Sequence, residues 1–370
     1  MAKLKLQLSK YDYQLLFLVL GISIFGLLMV YNASVVIATR DFSDKYFYFK
    51  NQGIWFGLGI VLLFITSRID YHIYQKWALP IFLVAIGLLI AVFLPGIGGL
   101  EVLGAKRRVN LGPVGFQPAE SVKLATTIFL AGYFASHKEI VTKKIIPFLV
   151  ILGVLLGLII LQPDMGTAMI VVGTGLGMFF LAGGNLSYFL ILAPFLAAGA
   201  IGLILVAPYR LARLKTLIDP TTDLQGAGYH INQVLIALGN GGLLGLGLGK
   251  SRQKFEYIPE VATDSIFAVI AEELGFIKVS IVILLFLFIL LKIINIAQKA
   301  PDKFGQLLAG GIAVYIGIQV LFNLGSMVAL VPLTGVPLPF ISYGGSSLIV
   351  NLAAIGIVLN ISRQAVVSKR

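Results

Sequence analysis

Apolar runs separated by short polar stretches recur along the whole chain, and their length is the first structural signal. A hydrocarbon core of about 30 Å takes about 20 apolar residues in a helix. Runs of that kind lie near 13–31, 52–67, 77–94, 121–136, 145–161, 166–182, 187–207, 265–296, 305–331 and 342–362. They predict an all-α polytopic membrane protein of ten transmembrane helices in one domain spanning 1–370. Gly and Pro inside several runs do not break the prediction, because neighbouring membrane helices restore the freed backbone hydrogen bonds.

Composition agrees: 58% of the 370 residues are hydrophobic, 12% are charged, and mean hydropathy is +0.98, far from the balance of soluble domains. The run after Lys3, Lys5 and Lys10 has the flanks of a signal peptide, but its length and the later spans make it a retained first helix. A net charge of +12 raises nucleic acid as a partner. No basic cluster interleaves with aromatics, so no nucleic acid is expected, and the cations are read as topology signals and contacts to membrane lipids. Cysteine is absent, which excludes disulfides, thiol catalysis and thiolate metal sites.

Basic residues in short loops set the orientation. Lys3, Lys5, Lys10, Arg68, Lys76, Lys138, Lys143, Lys144, Lys292, Lys299, Lys303, Arg363, Lys369 and Arg370 share one side, which places both termini in the cytoplasm. The trio Lys106-Arg107-Arg108 opposes this bias and is therefore a functional candidate. A large extracytoplasmic loop, about 208–263 between helices 7 and 8, is too long for a turn and is expected to fold as short surface helices.

Several motifs have plainer explanations beside functional ones. "GNGGLLGLGLGKSRQ" at 239–253 misses the P-loop spacing at Leu244 and lacks parallel-strand context, so its glycines are read as tight turns. His72, His137 and His230 have no metal-ligand spacing. In "GAKRRVNLGPVGFQPAESVKLA", Glu120 and Lys123 share a helix face. They either snorkel to the interface or, with Lys106, Arg107 and Gln117, line an external polar cavity for an anionic headgroup such as pyrophosphate. Asp164 in "LQPDMGTA" fits an N-cap or a cavity role. Ser342 and Tyr343 in "PFISYGGSS" fit either close helix packing or a substrate groove.

"GAKRRVNLGPVGFQPAE", "QPDMGTA", "YRLARLKTLIDP", "GAGYHINQVLIALGNGGLLGLGLG", "YIPEVATDSIFAVIAEELGF" and "PLPFISYGGSSLIVNLAAIGIVLNISR" occur in this order. Together they resemble the SEDS (shape, elongation, division and sporulation) family, closest to its FtsW members, with RodA the next most similar subtype. The resemblance implies a peptidoglycan glycosyltransferase that polymerises lipid II into nascent glycan on the outer face of the bacterial cytoplasmic membrane. It also implies a partner, a monofunctional class B penicillin-binding transpeptidase, and other cell-wall synthesis proteins. The family's "HTDFIFAV" motif falls on "ATDSIFAV", making Asp264 its essential aspartate; Ala262, Ser265 and Arg108 depart from the family pattern.

On this reading Asp264 is the general base, and cations among Lys106, Arg107, Lys123 and Arg210 stabilise the departing undecaprenyl pyrophosphate. No organic cofactor is expected, and if a divalent metal takes part, oxygen ligands favour Mg²⁺ or Mn²⁺, with ligands unknown. The rival function is a lipid II flippase, since ionisable groups in spans also mark transport pathways.

Asp264 to Lys292 would make about 43 Å of straight helix, longer than the hydrocarbon core. The segment must project, tilt or break near Gly275. On a straight helix Asp264, Glu272 and Glu273 point in different directions, so Glu272 and Glu273 are expected to meet cations or backbone amides of neighbouring segments.

Overall fold

The computed structural model describes residues 11–94, 107–111, 114–137, 145–219, 226, 228–255 and 257–365. Each of the ten apolar runs forms a helix. In chain order these are α1 (Tyr13–Phe42) and α2 (Phe47–Arg68), then short α3 (His72–Lys76) and α4 (Ala78–Ala91). A small hairpin, β1 (Val109–Leu111) and β2 (Val114–Phe116), precedes α5 (Pro118–Ser136), α6 (Ile146–Leu161), α7 (Met165–Leu181) and α8 (Leu186–Val206). The long loop contributes α9 (Pro208–Ile218) and α10 (Tyr229–Gly241), as its amphipathic stretches suggest, before α11 (Ile266–Gln298), α12 (Lys303–Met327) and α13 (Gly345–Gln364).

Six described helices, α1, α2, α8, α11, α12 and α13, are long and apolar enough to cross a membrane, and α4, α6 and α7 are shorter apolar helices. α5 is more polar because Glu120, Lys123, Thr126 and Thr127 lie along it. Burial separates the interior from the lipid-facing periphery. The apolar window of α13 is 89% buried and that of α12 is 67% buried, whereas that of α8 is 0% buried. α2 and α13 pack backbone to backbone: a Cβ on Gly356 would fall 2.3 Å from Leu63 O, the close approach that small residues permit between membrane helices.

α11 breaks at Gly275, whose φ of 75° and ψ of 172° are open to glycine but not to residues with a Cβ. The break frees two carbonyls and two amides, and the glycine-rich segment takes all four. Leu246 N donates to Glu272 O and Gly247 N to Glu273 O, both at 3.0 Å, while Phe276 N donates to Gly242 O and Ile277 N to Leu243 O. The sequence "GNGGLLGLGLG" therefore supplies a run of tight turns against a broken helix, with no room for a side chain at 275, where a Cβ would sit 2.1 Å from Gly245 N.

Candidate functional site

Asp264 sits on the turn that leads into α11. Glu260 turns the chain in the left-handed region (φ 50°), and Thr263 N and Ser265 N both donate to Glu260 O. The Asp264 carbonyl accepts from Asn323 Nδ2 at 2.8 Å, and the same amide reaches Val336 O at 2.8 Å, tying the turn to α12 and to the proline-rich segment. Tyr343 N donates to Ala262 O at 2.8 Å. "ATDS" and "PLPFISYGG", about 80 residues apart in sequence, are thus stitched side by side.

Asp264 is 9% exposed and lines a cavity of about 320 Å³. Burial, then the negative charge of Glu260, pushes its pKa up to about 7, against the opposing hydrogen bond from Thr263 and the charge of Arg213. α9 forms one wall through Tyr209, Arg213 and Thr216, α10 adds His230 and Ile231, and residues 331–335 close the far side. Pro208 opens α9 at a position where a missing N–H costs nothing, and the 4-then-3 spacing of Tyr209, Arg213 and Thr216 puts them on one face. Arg213 is held across the cavity by a 2.6 Å bond from Nη1 to Leu333 O.

The residues expected from sequence fall into three places. Arg210 is not on the cavity wall; it lies at the α8–α9 junction, donating to Tyr209 Oη and Leu203 O at 2.9 Å each. Glu120 and Lys123 form a buried ion pair of 2.8 Å, with side chains 5% and 1% exposed. Lys123 Nζ also reaches Gln319 Oε1 at 2.8 Å, and Gln319 Nε2 donates to Pro337 O at 2.8 Å. Gln319 and Asn323, one turn apart on α12, therefore connect the ion pair and the Asp264 turn through residues 336–337.

The third place is the β-hairpin mooring. Arg107 Nε donates to Gln162 O at 3.1 Å and its Nη2 to Pro163 O. Gln117 N donates to Ser346 Oγ at 3.0 Å and Gln117 Nε2 to Asp164 Oδ2 at 3.3 Å. Asp164 also caps α7, accepting from Thr167 N and Thr167 Oγ1 at 3.0 and 2.9 Å. Ser342 Oγ accepts from Leu338 N at 2.8 Å, and the Tyr343 ring packs edge-on against Tyr48. Lys106 lies outside the described residues.

A sequence model of the family described as "Cell cycle protein", comprising FtsW, RodA and SpoVE, matches residues 13–366. The chain belongs to this family. Among FtsW/RodA/SpoVE relatives it is 41% identical over 355 residues to stage V sporulation protein E of Bacillus subtilis, covering 95% of this chain and 97% of that one. It is 40% identical over 364 residues to a probable peptidoglycan glycosyltransferase FtsW of Trichlorobacter lovleyi, covering 96% and 94%. Its fold matches a solved chain from a structure described as the structural coordination of polymerization and crosslinking by a peptidoglycan synthase complex. There the TM-score is 0.78 at 28% identity, over 95% of this chain and 98% of that chain. The rod shape determining protein RodA of Thermus thermophilus matches with a TM-score of 0.69 at 28% identity, over 96% and 97%. Family membership and its apolar helices make this a multi-pass membrane protein.

Two wall residues, Arg213 and His230, carry little signal of their role in the sequence. Arg213 lies one turn from Tyr209 on the amphipathic α9, a spacing that does not by itself separate it from Arg210. His230 gave no signal, because its partner Ser265 lies 35 residues away.

Glu272 and Glu273 fulfil the expectation of amide and cation partners. Glu273 pairs with Lys254 at 3.0 Å and accepts from Gly249 N and Ser251 N at 2.9 and 3.1 Å. It also accepts from Asn32 Nδ2. Glu272 accepts from Ser251 Oγ, Arg252 N, Gln253 N and Asn240 Nδ2.

Proposed function

We propose that the chain is a peptidoglycan glycosyltransferase that polymerises lipid II on the outer face of the bacterial cytoplasmic membrane, with ten spans and both termini inside the cell. The observation that carries the reading is the pairing, in one cavity, of the buried Asp264 carboxyl with the Arg213 guanidinium, which Leu333 O holds in place. The names of its FtsW relatives support the same activity.

Glycan extension needs a sugar hydroxyl to attack an anomeric carbon as undecaprenyl pyrophosphate departs. Asp264 accepts the hydroxyl proton; a base whose pKa lies near the working pH combines availability with driving force. Arg213 provides fixed positive charge for the developing pyrophosphate, and a guanidinium suits phosphoryl oxygens through its planar fork. Glu120 and Lys123 support residue 337 through Gln319, and Arg107, Gln117 and Asp164 hold the hairpin in place; all five remain proposed contacts of the bound lipid. Lys106, Ser342 and Tyr343 complete the proposed substrate contacts, while Arg210, tied to Tyr209 Oη and Leu203 O, braces the wall helix instead.

Among the described residues no group of three or more His, Asp or Glu side chains could by itself hold a metal ion, so a Mg²⁺ or Mn²⁺ taking part would be shared between a carboxylate such as Asp264 and the pyrophosphate of the substrate. No step is routed through one. The proposed partner is a class B penicillin-binding transpeptidase, supported by the fold match to a chain of a peptidoglycan synthase complex.

Purified protein, assayed on labelled lipid II with and without the transpeptidase, tests the reading. Polymer is expected from the wild-type chain and loss of about 10²-fold or more in Asp264→Asn; undiminished glycan in the variant would sink the base assignment. The buried Glu120–Lys123 pair also suits a flippase. Translocation of fluorescent lipid II in liposomes that survives Asp264→Asn, without polymer, would favour that reading.

A further inference from the structure

The cavity holds an imidazole for which the chemistry above has no use. His230, the second residue of α10, shares the wall with Asp264, Arg213 and Tyr209. Its Nε2 lies 2.6 Å from Ser265 Oγ. Ser265 is 0% exposed, and among the described residues its hydroxyl has no other partner. A buried hydroxyl proton must be donated somewhere, and the acceptor at hand is Nε2. A ring nitrogen that accepts is unprotonated, so in the neutral ring the proton resides on Nδ1.

Neutrality is enforced by the surroundings. Burial and then the positive charge of Arg213 push the imidazole down to about 4, so at physiological pH two cations do not share the wall. Ser265 is also one of the positions where this chain departs from the family motif. The phenylalanine of that pattern could neither donate to Nε2 nor select a tautomer.

We propose that His230 is an uncharged hydrogen-bond donor of the Asp264 cavity: Ser265 holds the Nδ1–H tautomer, and Nδ1–H is offered to a neutral oxygen of the saccharide, a hydroxyl or an amide carbonyl. The division of labour follows from charge. A phosphoryl oxygen gains most from a cation, which Arg213 supplies, whereas a neutral donor matches a neutral acceptor without the desolvation cost of a second ion. His230 is a substrate-positioning residue in this scheme, and the identity of its ligand rests on the polymerase reading above.

The chain has three histidines, so long-range ¹H–¹⁵N correlation spectra of full-length, ¹⁵N-histidine-labelled protein in nanodiscs can resolve each ring. His230→Gln assigns the signal by its loss. The expected result is a neutral ring protonated at Nδ1 and unprotonated at Nε2 from pH 5 to 8 (about 4 being its midpoint), with Ser265→Ala converting it to a tautomer mixture. An Nε2–H ring in the wild-type protein, or a ring that titrates within that range, overturns the proposal.

The functional arm is the lipid II assay. His230→Phe should raise KM about five- to tenfold with kcat within about twofold, and His230→Gln, which keeps an N–H donor, should recover most of that loss. Equal KM values for the Phe and Gln variants would overturn the substrate contact. Failure of the polymerase reading is distinguishable: a wild-type chain that makes no polymer even with its transpeptidase removes the saccharide as ligand. The spectra still decide whether Ser265 fixes the tautomer.

Discussion

Asp264 is a carboxyl whose ionisation opposes folding. Its folded pKa of about 7 lies above the ordinary 3.8, so the native state favours the protonated form. The resulting stability is full in acid, falls as pH rises from about 4 to about 7, and stays low above that. Asp264→Asn is therefore expected to raise the melting temperature in detergent at pH 8, by an amount reflecting on the order of a few kcal/mol, and to lose that advantage at pH 4.5. The same pKa gives the activity profile its acid limb: polymerisation should rise with pH through about 7, since the base must be ionised. Arg213→Ala should raise KM for lipid II by about tenfold or more, and Arg210→Ala by less than about threefold, because only Arg213 lies on the cavity wall. Asp264 was legible because its motif is local in sequence. The choice between two arginines on one helix depends on which carbonyl each meets, and sequence does not carry that.

The broken α11 is the element on which the site depends. Gly275→Ala places a Cβ 2.1 Å from Gly245 N and forces φ 75° on an L side chain, so the expectation is severe destabilisation, about 3 kcal/mol or more, visible as a lowered melting temperature. Lys254→Met leaves the fully buried Glu273 without its cation and should cost about 3–5 kcal/mol. A Lys254→Met/Glu273→Met double variant should recover part of that loss, which a double-mutant cycle would measure. That a straight helix would not fit was visible in the length alone, which left projection, tilt or a break near Gly275 open; the structure has the break. The partner of the break was not legible: the glycine-rich segment reads as turns, and only the structure places it against the freed amides of α11. The β1–β2 hairpin was equally hidden, since strands of three residues are too short to show an alternating pattern.

At the scale of the whole chain, every apolar run became a helix, while the boundaries moved. α1 extends to Phe42 rather than ending near 31, because polar residues such as Asn32, Arg40 and Asp41 continue a helix that hydropathy cannot see. α4 and α6, at 14 and 16 residues, are shorter than a typical span. The absence of cysteine makes the proposed topology directly measurable. A cysteine introduced at Ser43 or Thr263 should react with an impermeant maleimide in intact cells or spheroplasts, and one at Lys299 only after permeabilisation. The reverse pattern would invert the orientation.

The clip between Lys254 and Glu273 closes over only 19 residues, whereas Asn32 reaches Glu273 across 241. Closing a short loop costs little chain entropy, so the segment 241–277 can assemble as an autonomous unit once α11 has been synthesised, sheltering its carboxylates before α1 docks. Assembly then has an order: Lys254→Met should slow the acquisition of protease resistance by that segment, while Asn32→Ala should leave this early phase intact and delay only the final closure.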